Sequence, residues 1–283
     1  MEASPPGRSP GGMTILVTAG HGKTGRRIVS RLAARGLPTR VGSRGGTPPF
    51  DWYAPSTWPA ALHGVDAAYL AFIPDLTVPG GRQAIEAVAA EAGRQGVRRL
   101  VLLSGRGEAE AERCEQVVAA SGLEWTVLRC SWFAQNFSED FLLGDVLGGT
   151  VRVPATDVRE PFVDADDIAD VAVAALTDAR HAGQLYELTG PRAVTFAEAT
   201  AEIAAATGRD LKFEPVGLDE YLDGLRAAGV PDEVSGLIGF LFREVLDGRN
   251  AVPQDGVRRA LGREARDFAA YARDAAASGA WDA

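Results

Sequence analysis

From Ile15 onward, short apolar runs alternate with segments whose apolar residues recur at helical spacing. Ile15-Leu16-Val17-Thr18 suits a buried strand, and Ile28, Val29, Leu32 and Ala33 behind it fall on one helical face. Residues 39–44 predict a second strand ending in a turn, and Phe50-Asp51-Trp52 a short third one. Residues 67–72 and 100–104 are apolar runs of the kind that fill a parallel sheet covered on both faces. Between them Ile85, Val88, Ala89 and Ala92 mark a helix over 80–95. A helix over 108–121 leads into a strand at Trp125-Thr126-Val127-Leu128-Arg129. Strands alternating with helices of this length predict right-handed βαβ units, so the fold class is α/β with a Rossmann-type, doubly wound parallel sheet.

The rhythm changes beyond Cys130. Aromatic residues crowd 132–141, a helix opens near Val163-Asp164-Ala165-Asp166-Asp167-Ile168 with acids in its first turn, and 185–190 reads as a strand and turn. Thr195 is placed to cap a helix over 196–207, and the remainder is mostly helical, ending near 271–277. No internal repeat is present. The expected organisation is a leader over 1–12, a nucleotide-binding domain over 13–155, and a smaller helix-rich substrate lobe over 156–283, partly interleaved with the first. The leader is rich in Pro, Gly and Ser with no apolar centre, so disorder is expected there and Met13 is a candidate natural start.

The turn between the first strand and helix carries the chemistry. Gly20-His21-Gly22-Lys23-Thr24-Gly25 has the G-x-G-x-x-G spacing that offers a dinucleotide pyrophosphate to a helix N-terminus. Gly20 is expected to permit the tight turn, Gly22 to let backbone approach phosphate, and Gly25 to let helix and strand pack closely. The residue ending the second strand separates the two nicotinamide cofactors, because an acid there binds a ribose hydroxyl and repels a 2′-phosphate. This chain has Ser43 and Arg44 instead, which favours NADP(H), with NADPH preferred over NADH. Arg40 is a possible helper, and Asp51, Phe72, Ile73 and Ser104 are added to the expected cofactor contacts.

Composition narrows the partners. A formal net charge of −9 over 283 residues argues against nucleic acid or an anionic membrane surface. No apolar run approaches the roughly 20 residues of a membrane helix, and a cytoplasmic location is expected. Two cysteines and three histidines, without ligand spacing, imply neither a disulfide framework nor a metal site. The expected partner is a small-molecule substrate, with a homo-oligomer or a regulatory protein partner left open.

Several stretches together resemble a known family: the loop from Ala19 to Gly25, Ser43-Arg44, Leu103-Ser104, the run from Ser121 to Arg129, and Trp132-Phe133-Ala134-Gln135-Asn136-Phe137. They are similar to the NmrA-like branch of atypical short-chain dehydrogenase/reductases, and within it to the bacterial relatives of the festuclavine dehydrogenases of ergot-alkaloid metabolism. The resemblance extends over nearly the whole chain from Met13. It implies a Rossmann-type fold, NADP(H) binding, and either reductase activity or redox sensing without catalysis. The family's loop usually reads GxxGxxG, and here Ala19 occupies the first glycine.

The wider superfamily uses a Tyr-x-x-x-Lys pair as its acid. None of the five tyrosines here has a lysine four places on, and Lys23 and Lys212 are the only lysines. The corresponding acidic stretch, 107–113, reads as a solvated helix start. Three polar candidates remain for catalysis. Ser104 ends the strand that faces the cofactor crevice, while Gln135 and Asn136 are suited either to orienting a substrate or to satisfying loop backbone. Asp164 and Asp166 read as helix-capping groups and Tyr186 as a core-edge residue. Trp132, Phe133, Asn136, Phe137, Phe162 and Phe240 are the expected substrate pocket. The function expected is hydride transfer to a small, apolar, electron-poor molecule of iminium, quinone or enone type. A non-catalytic NADP(H) sensor and a non-redox cyclase or isomerase are the alternatives.

Overall fold

The computed structural model describes residues 12–282; the leader expected over 1–12 lies outside them apart from Gly12. Strand β1 (Ile15–Thr18) is followed by α1 (Lys23–Ala34) and β2 (Thr39–Gly42). The next units are α2 (Trp58–Leu62) with β3 (Ala67–Leu70), α3 (Gly81–Arg94) with β4 (Arg99–Gly105), and α4 (Ala109–Ala119) with β5 (Glu124–Cys130). Short elements follow: α5 (Asn136–Glu139), α6 (Leu143–Gly148), β6 (Thr150–Val153) and β7 (Arg159–Glu160). The chain then returns through α7 (Ala165–Thr177) to β8 (Gln184–Leu188). It finishes with β9 (Val194–Thr195), α8 (Phe196–Thr207), β10 (Lys212–Pro215), α9 (Leu218–Ala227), α10 (Asp232–Phe240), α11 (Gly256–Leu261) and α12 (Phe268–Ala277).

The main sheet runs β2-β1-β3-β4-β5-β8, with every pairing parallel. Its strand order reverses at β1 and β3, which is where an open α/β sheet leaves a crevice at its carboxyl edge. The apolar runs that predicted the strands are buried on both faces, because α1, α7 and α11 cover one side and α2, α3 and α4 the other. A third, aromatic core forms beyond β5, around Phe137, Phe162, Phe196 and Phe268. Segments on both sides of residue 155 build the sheet, since α7 and β8 complete it.

Two helix starts follow from local chemistry. Thr195 and Glu198 form a reciprocal capping box on α8, and the Asp164 carboxylate accepts from the Asp166 amide to cap α7. The strand expected at Phe50-Asp51-Trp52 is absent; the segment is a loop pinned by its side chains. The indole of Trp52 donates to the Ala71 carbonyl at 2.9 Å, that of Trp58 donates to the Asp51 carbonyl at 2.7 Å, and Phe50 packs edge-on against Trp52. Pro48 and Pro49, just before this segment, lack the N–H groups a ladder needs, and β2 is the edge strand of the sheet. Among the described residues no helix is long and apolar enough to cross a membrane.

Candidate functional site

The first turn of α1 is built from backbone. The Thr18 hydroxyl donates to the Tyr69 carbonyl at 3.0 Å and accepts from the Ala71 amide at 2.8 Å, fixing the ends of β1 and β3 together. The residue that takes a left-handed conformation in this turn is Ala19, with φ +49°, while Gly20, expected to permit the tight turn, does not. Gly20 is needed for a different reason: a Cβ there would lie 2.7 Å from Val41 Cγ1. At Gly25 a Cβ would overlap the Ala19 carbonyl and lie 2.7 Å from Gly20 Cα, so only glycine fits under the loop. Among the described residues nothing accepts from the amides of Lys23, Thr24 and Gly25, and the first turn of α1 carries no acid. Unpaired amides, the positive end of a helix and a side-chain-free floor suit a diphosphate.

On one side of this loop a cavity of about 380 Å³ touches His21, Arg40, Ser43 and Gly46. Arg44, between the lining residues Ser43 and Gly45, is exposed and has no hydrogen bond or ion pair among the described residues. Arg40, the suggested helper, lines the cavity with its Nη1 already committed to the end of α2, where it donates to the His63 carbonyl at 3.0 Å. Asp51 lines neither this cavity nor the larger cleft described next. Its carboxylate accepts from the Tyr53 amide at 3.0 Å and shapes the loop between β2 and α2.

On the other side lies a cleft of about 470 Å³. It begins at Ala19, Gly22, Lys23 and Thr24 and passes Phe72 and Ile73. Its floor is the carboxyl edge of β4 and β5, with Ser104, Gly105, Arg106 and Cys130, and its far wall holds Trp132, Phe133, Asn136 and Phe141. Leu237, Ile238 and Leu241 close it from α10 and the turn after it. Thr24 is held from beneath, its hydroxyl oxygen accepting from the Tyr69 hydroxyl at 3.0 Å. Lys23 spans the cleft: its ammonium donates to Asn136 Oδ1 at 2.8 Å, pairs with Asp140, and lies 5.6 Å from the Phe133 ring centre.

Several expected pocket residues sit elsewhere. Phe137 and Phe162 are buried in the aromatic core, 5.6 Å apart edge to face, because they point away from the β5 edge into the packing around Phe196. Phe240 packs on the outside of that core; its neighbours Ile238 and Leu241 reach the cleft instead. Gln135 is buried but orients no ligand: it donates to Asp164 at 2.7 Å and accepts from the Ala165 amide at 2.7 Å, holding the start of α7. Ser104 does line the cleft, yet its proton is committed to Glu115 Oε1 at 2.6 Å. That carboxylate also pairs with Arg129, so Ser104 presents only lone pairs. Tyr186 bonds His181 Nδ1 at 2.8 Å at the sheet edge, as its strand position suggested.

Glu108 departs furthest from its sequence reading. Glu110 and Glu112 belong to an open helix start, but Glu108, the residue before α4, is only 6% exposed and lines the cleft. Its side chain folds back over Gly105, where a Cβ would overlap the carboxyl group, and Oε2 has no hydrogen-bond partner among the described residues. Burial pushes its pKa up to about 8, and the nearby Asp75 and Glu115 carboxylates add to the shift. The signal available in the sequence was Gly105-Arg106-Gly107-Glu108: two glycines directly after a sheet strand, with an acid able to fold back over the first.

The chain matches a family model described as NAD(P)H-binding over residues 50–179. It is 35% identical over 274 residues to a (4-alkanoyl-5-oxo-2,5-dihydrofuran-3-yl)methyl phosphate reductase of Streptomyces griseus, covering 90% of this chain and 95% of that one. It is 30% identical over 275 residues to the festuclavine dehydrogenase of Aspergillus fumigatus, covering 88% and 93%. Among solved structures, the Citrobacter sp. triphenylmethane reductase complexed with NADP(H) has the same fold. It aligns with a TM-score of 0.74 at 18% identity, over 93% of this chain and 100% of that one.

Proposed function

The chain belongs to the NmrA-like family of NAD(P)H-binding short-chain dehydrogenase/reductases, and from that premise we propose that it uses NADPH to reduce a small, largely apolar, electron-poor molecule. Conjugated enones and quinones are the favoured substrates. One observation carries this: a single cleft joins the amides of the α1 turn to an apolar wall of Trp132, Phe133 and Leu241 across the carboxyl edge of β4 and β5. The relative from Streptomyces griseus is named for a 5-oxo-2,5-dihydrofuran bearing an acyl group, an electron-poor alkene. That name supports the enone class for this chain.

Bound NADPH supplies hydride, two electrons and a proton in one transfer. The chain's part is position and environment. Gly22, Lys23 and Thr24 hold the diphosphate, with Gly25 leaving room beneath, and Ser43 with the exposed Arg44 receives the 2′-phosphate, which is the basis for preferring NADPH. Phe72 and Ile73 flank the cofactor. Trp132 and Phe133 give a planar substrate a flat, dry surface, and excluding water strengthens every polar contact inside. Lys23, held by Asn136 and Asp140, ties the phosphate loop to the substrate wall.

The test is NADPH oxidation followed against a panel of quinones, enones and cyclic iminium ions, with NADH in parallel. Turnover of one class with a lower KM for NADPH than for NADH is the expected result. Tight NADPH binding with no turnover of any class would point instead to a redox sensor.

A further inference from the structure

We propose that Glu108 is the proton donor of this site, delivering its carboxyl proton to the conjugated oxygen of the substrate as hydride arrives at carbon. The proposal rests on the reductase function above and fills the place of the missing Tyr-x-x-x-Lys pair. Four observations meet at this side chain. It is buried, it lines the cleft, its Oε2 has no hydrogen-bond partner among the described residues, and it sits over Gly105, whose lack of a Cβ makes the seat. Gly105 ends β4, beside the carboxyl edge where a ligand's reacting end lies in such sheets.

The groups facing Glu108 favour its acid form. Asp75, from the loop after β3, and Glu115, on α4, both repel a charge on it. Arg106 is buried but its guanidinium is engaged elsewhere, donating to the Asn250 carbonyl at 2.7 Å and the Val252 carbonyl at 3.1 Å. Cys130, at the end of β5, is itself held as the neutral thiol by burial. Arg129 is taken by Glu115. A carboxyl group in this setting keeps its proton at neutral pH and can give it up when negative charge grows on a neighbour. Ser104 cannot replace it, because its own proton is held by Glu115.

In the step proposed, the substrate accepts hydride from NADPH, which is oxidised to NADP⁺. The π pair displaced by hydride moves to the conjugated oxygen, which bonds to the Glu108 proton. The carboxyl O–H bond breaks with its electrons left on Glu108, and water later restores the proton. An iminium ion accepts hydride to become a neutral amine and needs no such proton.

The experiment compares wild type with Glu108→Gln, and with Glu108→Met if the amide folds poorly. NADPH affinity by fluorescence should stay within about threefold. The kcat for an enone or quinone should fall by about 100-fold or more, at least ten times further than for a cyclic iminium ion. With the enone, wild-type kcat should decline as pH rises through about 8, and the variant should lose that limb. A readout independent of activity is the thermal midpoint of the cofactor-free protein. The folded chain holds a proton on Glu108 that the unfolded chain releases, so this stabilisation is full at acid pH and is lost as pH rises through about 8. The wild-type midpoint should therefore drop relative to the variant between about pH 5 and pH 8. Equal losses with both substrate classes, no loss with the enone, or parallel midpoints would overturn the assignment. If wild type reduces none of the substrates, the reductase function fails with it. If wild type is active and the variant equally so, only the role of Glu108 fails.

Discussion

The two ends of the cleft are made of different material. At the α1 end the ligand-facing groups are backbone amides, and the critical positions are those where a side chain must be missing: Gly20 against Val41, Gly25 against the Ala19 carbonyl. At the β4–β5 end the groups are buried side chains whose chemistry is set by their neighbours. Glu108 and Glu115 show this along one helix: both are nearly buried, but Glu115 is met by Ser104 and Arg129, and Glu108 by no hydrogen-bond or ion-pair partner among the described residues. Burial alone does not decide whether an acid ionises; the partners do. A backbone-built end tolerates little change in shape, and a side-chain-built end little change in charge.

The largest effect should follow from violating shape at the first end. Gly25→Val puts atoms into the Ala19 carbonyl and Gly20 Cα, and overpacking of this kind costs about 1–3 kcal/mol. NADPH affinity should fall by more than about 100-fold in a fluorescence titration while circular dichroism still reports a folded chain. Affinity within a few-fold of wild type would mean that the loop does not hold the diphosphate. Next in size is charge at the second end. Glu115→Ala leaves the half-buried Arg129 with only longer contacts to Glu112 and Glu187, at 3.7 and 3.5 Å. Losing one partner of a buried pair costs about 3 kcal/mol, to be read as a lower urea midpoint. NADPH binding should be nearly untouched, which separates the two ends directly.

The same contrast explains what could be read from the chain beforehand. Strand runs, helix periodicity, the caps at Asp164 and Thr195, and the glycine turn are local in sequence, so spacing alone exposes them. The loop at 50–52 is not: its apolar alternation suits a strand, and only contacts with Trp58 and Ala71 turn it into a pinned loop. Phe137 and Phe162 read as pocket because their aromatic rings suit an apolar wall with Trp132, but side-chain direction sends them into the core. Glu108 was hidden by its company. Beside Glu110 and Glu112 it looks like one more solvated acid, and its burial depends on the fold of 105–107 and on α10 closing the cleft.

A smaller effect tests the rim of the backbone-built end, where one side chain does contribute. Arg44 is exposed, so its grip on a 2′-phosphate is screened by salt and modest. Arg44→Ala should weaken NADPH binding by about tenfold, or about 1.4 kcal/mol, and leave NADH within twofold. The NADPH penalty should shrink as ionic strength rises. Equal loss for both cofactors would move Arg44 from phosphate recognition to loop structure.

The smallest effect lies at Ala19, where the family pattern has glycine and this chain does not. Its φ of +49° puts a Cβ in the left-handed region, which costs a non-glycine residue about 1–2 kcal/mol. Ala19→Gly removes that strain but gives the unfolded chain more freedom, about 0.4–1 kcal/mol in the opposite direction. The two nearly cancel, leaving a gain of about 0.5 kcal/mol and a rise in thermal midpoint of about 1–2 °C. Cofactor affinity should hold within threefold, because the Ala19 group that shapes the loop is its carbonyl, which accepts from the Gly22 amide at 2.8 Å in either variant. A larger change in affinity would mean that the Ala19 methyl, which borders the cleft, helps to set the position of the bound diphosphate, so that even the backbone-built end is tuned by one side chain.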